Sequence, residues 1–376
     1  VTWLLKRILA GLAAILVVAV GAGVLLGTQY SGTPAPWAAS QGSNAAWLSG
    51  AWVNGEKDVD DFTDLVRRVE QGELTELYVH VADIDSEGGS DSAGYDSAGT
   101  FLDWAENELP DVTVLGWMEH STEGSSLAEG RFDEDARAEI AATAGEVTDA
   151  GFAGVHLAIS PVTTNDSTLP ELLDQTREEI GPDAVLSAQA QSIEPVAGVR
   201  LPMFAYSREE RYWSKGYLRR VADRVDSIVI QGHGTGMPME SLYGGFMVRQ
   251  VEESLSALEP LSENGAEGSG GDAAGGSEES PGADSGDGQS NEDGGSGEGG
   301  SGAGGPSVRF GIPAYESETW GSTSSAENVD TATEAVRLGL TEHGQRDDVG
   351  LAVYVLDDTS GDDWAAYTDG WVRPER

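Results

Sequence analysis

The chain of 376 residues has no cysteine. Disulfides, thiolate metal sites and a cysteine-linked lipid are therefore excluded. Basic residues are few: 21 Lys and Arg stand against 65 Asp and Glu, a formal charge of -44. A surface this negative repels phosphate backbones and anionic headgroups, which argues against nucleic acid as a partner. It suits a salty exterior, where ions screen the self-repulsion. Histidine is scarce too. His80, His120, His156, His233 and His343 are all five, and none lies in an H-x-x-x-H or H-E-x-x-H spacing, so no metal is expected. No G-x-G-x-x-G or phosphate-binding loop follows an early strand, and no G-x-S-x-G elbow occurs. Nucleotide cofactors and a serine nucleophile of that type thus lack support, and no cofactor is expected.

Long hydrophobic runs are absent but for one. Ile8 to Leu26 contains only Ile, Leu, Val, Ala and Gly, close to the roughly 20 residues that cross a bilayer. Lys6 and Arg7 precede it, and the next basic residue is Lys57. Residues 1–7 are expected in the cytoplasm, 8–27 as a single transmembrane helix, and the C-terminal body outside the cell membrane. A cleaved signal peptide fits less well, because the run is long and no A-x-A site follows. Residues 28–45, rich in Ser, Gly, Pro and Ala, read as a flexible spacer. Residues 262–306 carry no aromatic, no basic residue and no aliphatic residue larger than Ala. Such a segment cannot offset its ordering entropy by burial and reads as a disordered insert.

The remainder, 46–376, alternates strand-like and helix-like segments. Apolar runs at 47–53, 74–81, 112–118, 154–160, 185–191, 227–231, 308–314 and 350–356 predict eight strands. Segments 60–70, 100–108, 133–150, 169–180, 214–225, 242–258 and 327–343 show three-and-four apolar spacing and predict helices. A last short helix is predicted at 362–367. Eight such repeats predict an α/β fold, a (β/α)8 barrel, with an open doubly wound sheet as the alternative. In such a barrel, chemistry belongs at the C-terminal strand ends. Those positions hold Asn54 and Glu56, then His80, Asp83 and Asp85, then Trp117, Glu119 and His120. Next come His156 and Ser160, Gln189 and Gln191, and Gln231 and His233. Tyr315, Glu316 and Trp320 follow, and Tyr354, Asp357 and Asp358 close the ring. Aromatic faces mixed with amides and carboxylates suit a sugar, whose C–H faces stack while its hydroxyls bond.

The segment Gly151-Phe152-Ala153-Gly154-Val155-His156-Leu157-Ala158-Ile159-Ser160-Pro161 resembles the signature strand of chitinase-like, family 18 glycoside hydrolases, in particular their membrane-anchored bacterial subgroup. Trp52-Val53, Tyr78-Val79-His80, Leu186-Ser187-Ala188, Tyr217–Ile230, Tyr243-Gly244-Gly245, Gly311–Tyr315, Tyr354 and Trp364 follow in family-like order. The resemblance implies a TIM barrel and substrate-assisted hydrolysis by a D-x-x-D-x-D-x-E motif. Here that motif falls on Ala153, His156, Ala158 and Ser160, and all four acids are replaced. A Met-Tyr-Asp element of many relatives is Gln231-Gly232-His233. The resemblance thus implies a degenerate catalytic site, because a serine hydroxyl lacks the pKa general acid catalysis needs. Three functions remain open. One is an inactive barrel that binds cell-wall or extracellular carbohydrate through Trp117, Gln189, Gln191, His233, Tyr315, Trp320 and Tyr354, with Asn54 as a further hydroxyl partner. The second is a glycosidase with relocated acids among Glu119, Asp83, Glu316, Asp357 and Asp358. The third is a surface scaffold without a sugar ligand.

Overall fold

The computed structural model describes residues 2–91, 95, 97–121, 132–194, 212–259, 305–314 and 325–374. Strands β1 (Asn44–Leu48), β2 (Leu74–Ile84), β4 (Thr113–Ser121), β5 (Gly154–Ser160), β6 (Val185–Ala190), β7 (Ser227–Ile230), β8 (Ser307–Pro313) and β9 (Val349–Tyr354) pair in parallel, and β1 also pairs with β2, closing the ring. The predicted barrel is therefore present. The two-residue β3 (Ser90–Asp91) pairs antiparallel with the end of β2 and was not expected. Around the strands lie α2 (Val59–Gly72), α3 (Ala98–Glu108), α4 (Glu134–Asp149), α5 (Thr168–Ile180), α6 (Lys215–Ala222), α7 (Glu240–Leu258), α8 (Val329–His343) and α9 (Gly361–Tyr367).

Local sequence accounts for these elements. Asp58 opens α2 with a capping box, accepting from Asp60 and Asp61 N–H while Asp61 reaches back to the Asp58 N–H, which satisfies otherwise orphaned donors. Phe62, Leu65 and Val69 recur at helical spacing and are buried against the barrel wall. The first strand starts three residues earlier than predicted, and Gly50–Trp52 forms a 3-10 turn instead. All five residues of β1 are buried, so no in-out alternation marks its limits.

Two apolar layers result. A large one joins strand exteriors to helices. A smaller one fills the lumen with Ala45, Trp47, Tyr78, Leu115, Trp117, Ala158, Val229 and Ala352. At the N-terminal end of the lumen, Arg309 on β8 pairs with Glu76 on β2 at 2.8 Å, with the arginine side chain 3 % exposed.

Helix α1 (Thr2–Gln29) precedes the barrel. Among the described residues no helix is long and apolar enough to cross a membrane; the side chains at 2, 4, 5, 8, 9, 12–16, 18 and 19 are outside that description. Residues 30–40, within the expected flexible spacer, lie along the barrel. The Tyr30 hydroxyl donates to Glu334, the Ala35 N–H to Thr341 Oγ1 at 2.8 Å, and Arg337 to the Ala38 carbonyl at 2.7 Å. The Ser40 N–H donates to the Trp371 carbonyl. Composition does not show these contacts, because three of the four use the backbone of Ala35, Ala38 and Ser40. The insert at 262–306 falls outside the described residues except for 305 and 306.

Candidate functional site

The lumen is lined by alternate residues of each strand. From β1 comes Trp47, from β2 Tyr78 and His80, from β4 Trp117, from β5 His156 and Ala158, and from β9 Tyr354. Their rings interlock. Trp47 meets Tyr78, His156, His233 and Tyr354 edge-on at centroid distances of 5.2, 5.6, 6.1 and 5.3 Å. His156 stacks on Tyr78 at 4.1 Å, and His233 on Tyr354 at 4.2 Å. Trp117 closes the ring against Tyr354 at 6.0 Å and His80 at 4.8 Å.

Both inner histidines are held neutral. Burial, with the Arg309 charge adding to it, pushes the His156 pKa down to about 3, and burial pushes that of His233 down to about 4. His156 Nδ1 lies 2.8 Å from Ser187 Oγ. Among the described residues its Nε2 has no hydrogen-bond partner, and neither have His233 Nε2, Trp47 Nε1 and Trp117 Nε1, all buried. Each such atom costs about 1–3 kcal/mol when left unmatched.

The four residues matched to the family motif carry no acid. Ala153 is exposed at the N-terminal end of β5, outside the lumen. His156 and Ala158 face inward and are buried, and Ser160 is half-buried at the strand end before a cis Ser160-Pro161 bond. No carboxylate takes the place of Ala158 or Ser160 on this strand.

Several expected site residues have other duties. Asp357 accepts from the Ser49 N–H at 2.7 Å and Trp52 Nε1 at 2.9 Å, with Lys57 at 3.9 Å, so it ties the loops after β9 and β1 together. Asp83 is 70 % exposed and pairs with His80 at 3.2 Å. Gln191 is buried, its oxygen accepting from the Val162 N–H at 2.5 Å and Trp213 Nε1 at 3.2 Å, which holds the loop after β5. His120 points away from the lumen to the Ile84 carbonyl at 2.7 Å and to Phe132. Asn54 and Glu56 bond each other in an exposed turn. Asp85 caps its own turn through the Glu87 and Gly89 N–H groups, and Asp358 is exposed. Glu119 is half-buried and partnered. Tyr315, Glu316 and Trp320 lie outside the described residues. Of the expected ligand residues, Trp117, His233 and Tyr354 converge, with Gln189 half-buried on the inward face of β6. Among the described residues no group of three His, Asp or Glu side chains could hold a metal ion.

Strand-end reading missed Trp47, Tyr78 and Glu327. Glu327 is 2 % exposed and accepts from Thr235 Oγ1 at 2.6 Å and from the Thr235, Gly236 and Met237 N–H groups at 3.1, 2.6 and 3.3 Å. It sets the loop that carries His233. Glu327→Gln removes one acceptor oxygen and the charge, and is expected to cost about 1.5 kcal/mol in urea unfolding. An unchanged midpoint would show the loop is set by other contacts.

No family model matches the chain, and no curated protein matches it. Solved structures do. A chitinase from Chromobacterium violaceum matches with a TM-score of 0.51 at 12 % identity, over 88 % of this chain and 98 % of its own. The spore cortex-lytic enzyme SleL of Bacillus cereus matches at 0.52 and 10 %, over 88 % and 74 %. A group IV chitinase of Ostrinia furnacalis matches at 0.50 and 13 %, over 87 % and 97 %. The fold is that of the chitinase-like barrels. Identities this low speak for the fold alone, so the chemistry rests on the lumen of this chain. There the barrel packs rings and neutral imidazoles in its lumen, with Gln189 and Tyr354 half-buried at the rim.

Proposed function

We propose that this chain is a membrane-anchored, extracytoplasmic chitinase-like barrel that binds cell-wall or extracellular carbohydrate without cleaving it. The observation that carries the binding half is the rim above the packed rings, where His80, Gln189, His233 and Tyr354 are only half-buried. A side-chain amide can donate to and accept from saccharide hydroxyls, a neutral imidazole can donate or accept, and Tyr354 offers ring surface to the sugar's C–H groups. The loss of cleavage rests on Ala158 and Ser160. Protonating a glycosidic oxygen near neutral pH needs a carboxylic acid of raised pKa, which neither side chain can supply. Of the candidates for a relocated pair, Asp357 is committed to the loops after β9 and β1, and Asp83 is an exposed carboxylate beside His80. Anchoring is supported by the run Ile8–Leu26 with Lys6 and Arg7 before it, which puts the N-terminus in the cytoplasm and the body outside.

Calorimetry with chitotetraose and with peptidoglycan fragments tests the reading. At least one is expected to bind, and Tyr354→Ala is expected to weaken it about tenfold, the worth of one lost stacking face. Product release from either saccharide would overturn the non-catalytic half, and silence towards both would overturn the binding half.

A further inference from the structure

The last turns of α1 are locked onto the barrel rather than hinged to it. Ala22 and Leu26 are buried, whereas Val17, Val20, Val24 and Leu25 on the same helix are exposed. The buried side rests on the first turns of α7. A Cβ at Gly245 would lie 1.8 Å from the Leu26 carbonyl oxygen, and one at Gly244 would lie 2.5 Å from the Tyr30 ring. Only glycine admits this approach. Gly23 and Gly27 of α1 face Leu242 and Ser241 in return.

This clasp sits at the mouth end of the barrel. α7 begins just after the C-terminal end of β7, and the Tyr243 hydroxyl donates to the Gly232 carbonyl, next to His233, at 2.9 Å. Length then fixes the height. At 1.5 Å per residue, Ile8–Leu26 spans about 28 Å, nearly the whole ~30 Å hydrocarbon core. The residues that end the span are those gripped by α7. Beside them Met239, at the start of α7, is 54 % exposed.

The geometry points to a rigid post: α1, clasped at Gly244-Gly245, holds the mouth-side edge of α7 in the bilayer's headgroup layer. The placement in the bilayer rests on the anchor reading above; the clasp does not. The mouth then stands beside the membrane surface, and the saccharides it meets are those carried close to the headgroups. A body with this net charge would be held near anionic lipid only by such a lock, not by attraction.

The absence of cysteine makes the test clean. A Cβ on Gly27 would lie 3.9 Å from the Ser241 Cβ, within the span of a disulfide. The full chain carrying Gly27→Cys and Ser241→Cys, reconstituted in phosphatidylcholine vesicles, is expected to cross-link within the chain under mild oxidation. Adding Gly245→Leu is expected to abolish that cross-link. A separate full chain with Met239→Cys, labelled with an environment-sensitive fluorophore, is expected to lose about half its emission to headgroup spin-labelled lipid. A label at Asp183→Cys, in the loop before β6 at the far end of the barrel, is expected to lose none. No cross-link in the Gly27/Ser241 pair, or equal quenching at both labels, would overturn the inference. Extraction of the chain by alkaline carbonate would instead defeat the anchor reading, while a retained chain whose label at position 239 stays unquenched would defeat only the height.

Discussion

Replacing Arg309 by Met is expected to lower unfolding free energy by about 3–5 kcal/mol, because it strands a carboxylate inside the barrel. The Arg309 guanidinium donates to Glu76 at 2.8 Å, to the Ser43 carbonyl at 2.8 Å and to Ser307 Oγ at 3.2 Å. Glu76 also accepts from the Tyr78 hydroxyl at 3.0 Å and from Ser227 at 3.4 Å. Burial works against the guanidinium charge, but Tyr78 and Glu76 outweigh it and hold the arginine's pKa above its ordinary value. Without Arg309 the Glu76 side-chain partners among the described residues are the Tyr78 and Ser227 hydroxyls, in a low-dielectric lumen. Glu76→Leu with Arg309→Met removes both charges and is expected to recover most of the loss, since a well-packed apolar pair is often as stable as a buried ion pair. Equilibrium urea unfolding of the two variants and the parent decides it. A double variant no more stable than Arg309→Met alone would mean that the arginine acts through its Ser43 and Ser307 bonds. This pair lies at the end of the barrel away from the mouth, where polar residues serve stability rather than chemistry.

The barrel was legible because its periodicity is regular. β5 begins and ends where the sequence pattern put it, and α8 and α9 fall within two residues of theirs. The exceptions have physical causes. Asn44 reads as a loop residue, yet it is fully buried at the head of β1. Its amide oxygen accepts from the Leu351 N–H and Trp371 Nε1, and its nitrogen donates to the Gly72 and Glu73 carbonyls. Those partners come from distant segments, and no local signal carries them. The site was half legible. Counting to the ends of strands found Trp117, His233 and Tyr354. It could not find Trp47, because the first strand starts three residues earlier than expected, nor Tyr78, which lies mid-strand where both faces are buried, so hydropathy does not distinguish inside from outside. It placed Gln191 and Asp357 at the rim but could not show that backbone from neighbouring loops already occupies their oxygens. That Ala158 and Ser160 are not acids, by contrast, is plain in the sequence.

The stacked histidines give the lumen a pH signature of opposite sign to that of an ion-paired histidine, because their pKa values are lowered rather than raised. His156 is neutral in the folded barrel with a pKa of about 3, below its ordinary 6.5, because burial and the Arg309 charge disfavour the imidazolium. As pH falls below 6.5 the unfolded chain takes up this proton and the folded chain does not. The stabilising contribution is therefore complete above about 6.5 and drains away towards about 3, at about 1.4 kcal/mol per pH unit. His156→Gln removes the titration while keeping a side chain able to bond Ser187. The stability difference between parent and variant is expected to shift by about 2.3 kcal/mol in the variant's favour between about pH 6.5 and about pH 4.5. The many carboxylates titrate in both proteins and cancel in the difference. Parallel stability curves over that window would show that His156 becomes charged in the folded state, and the lumen would then have to be wet enough to solvate an imidazolium. His233→Gln is expected to bend the curve in the same direction but to level off at about pH 4, where burial sets the His233 pKa. A saccharide seated on the His233–Tyr354 stack shields that ring further, so the His233 limb is expected to move to lower pH when the ligand is bound, while the deeper His156 limb stays where it was.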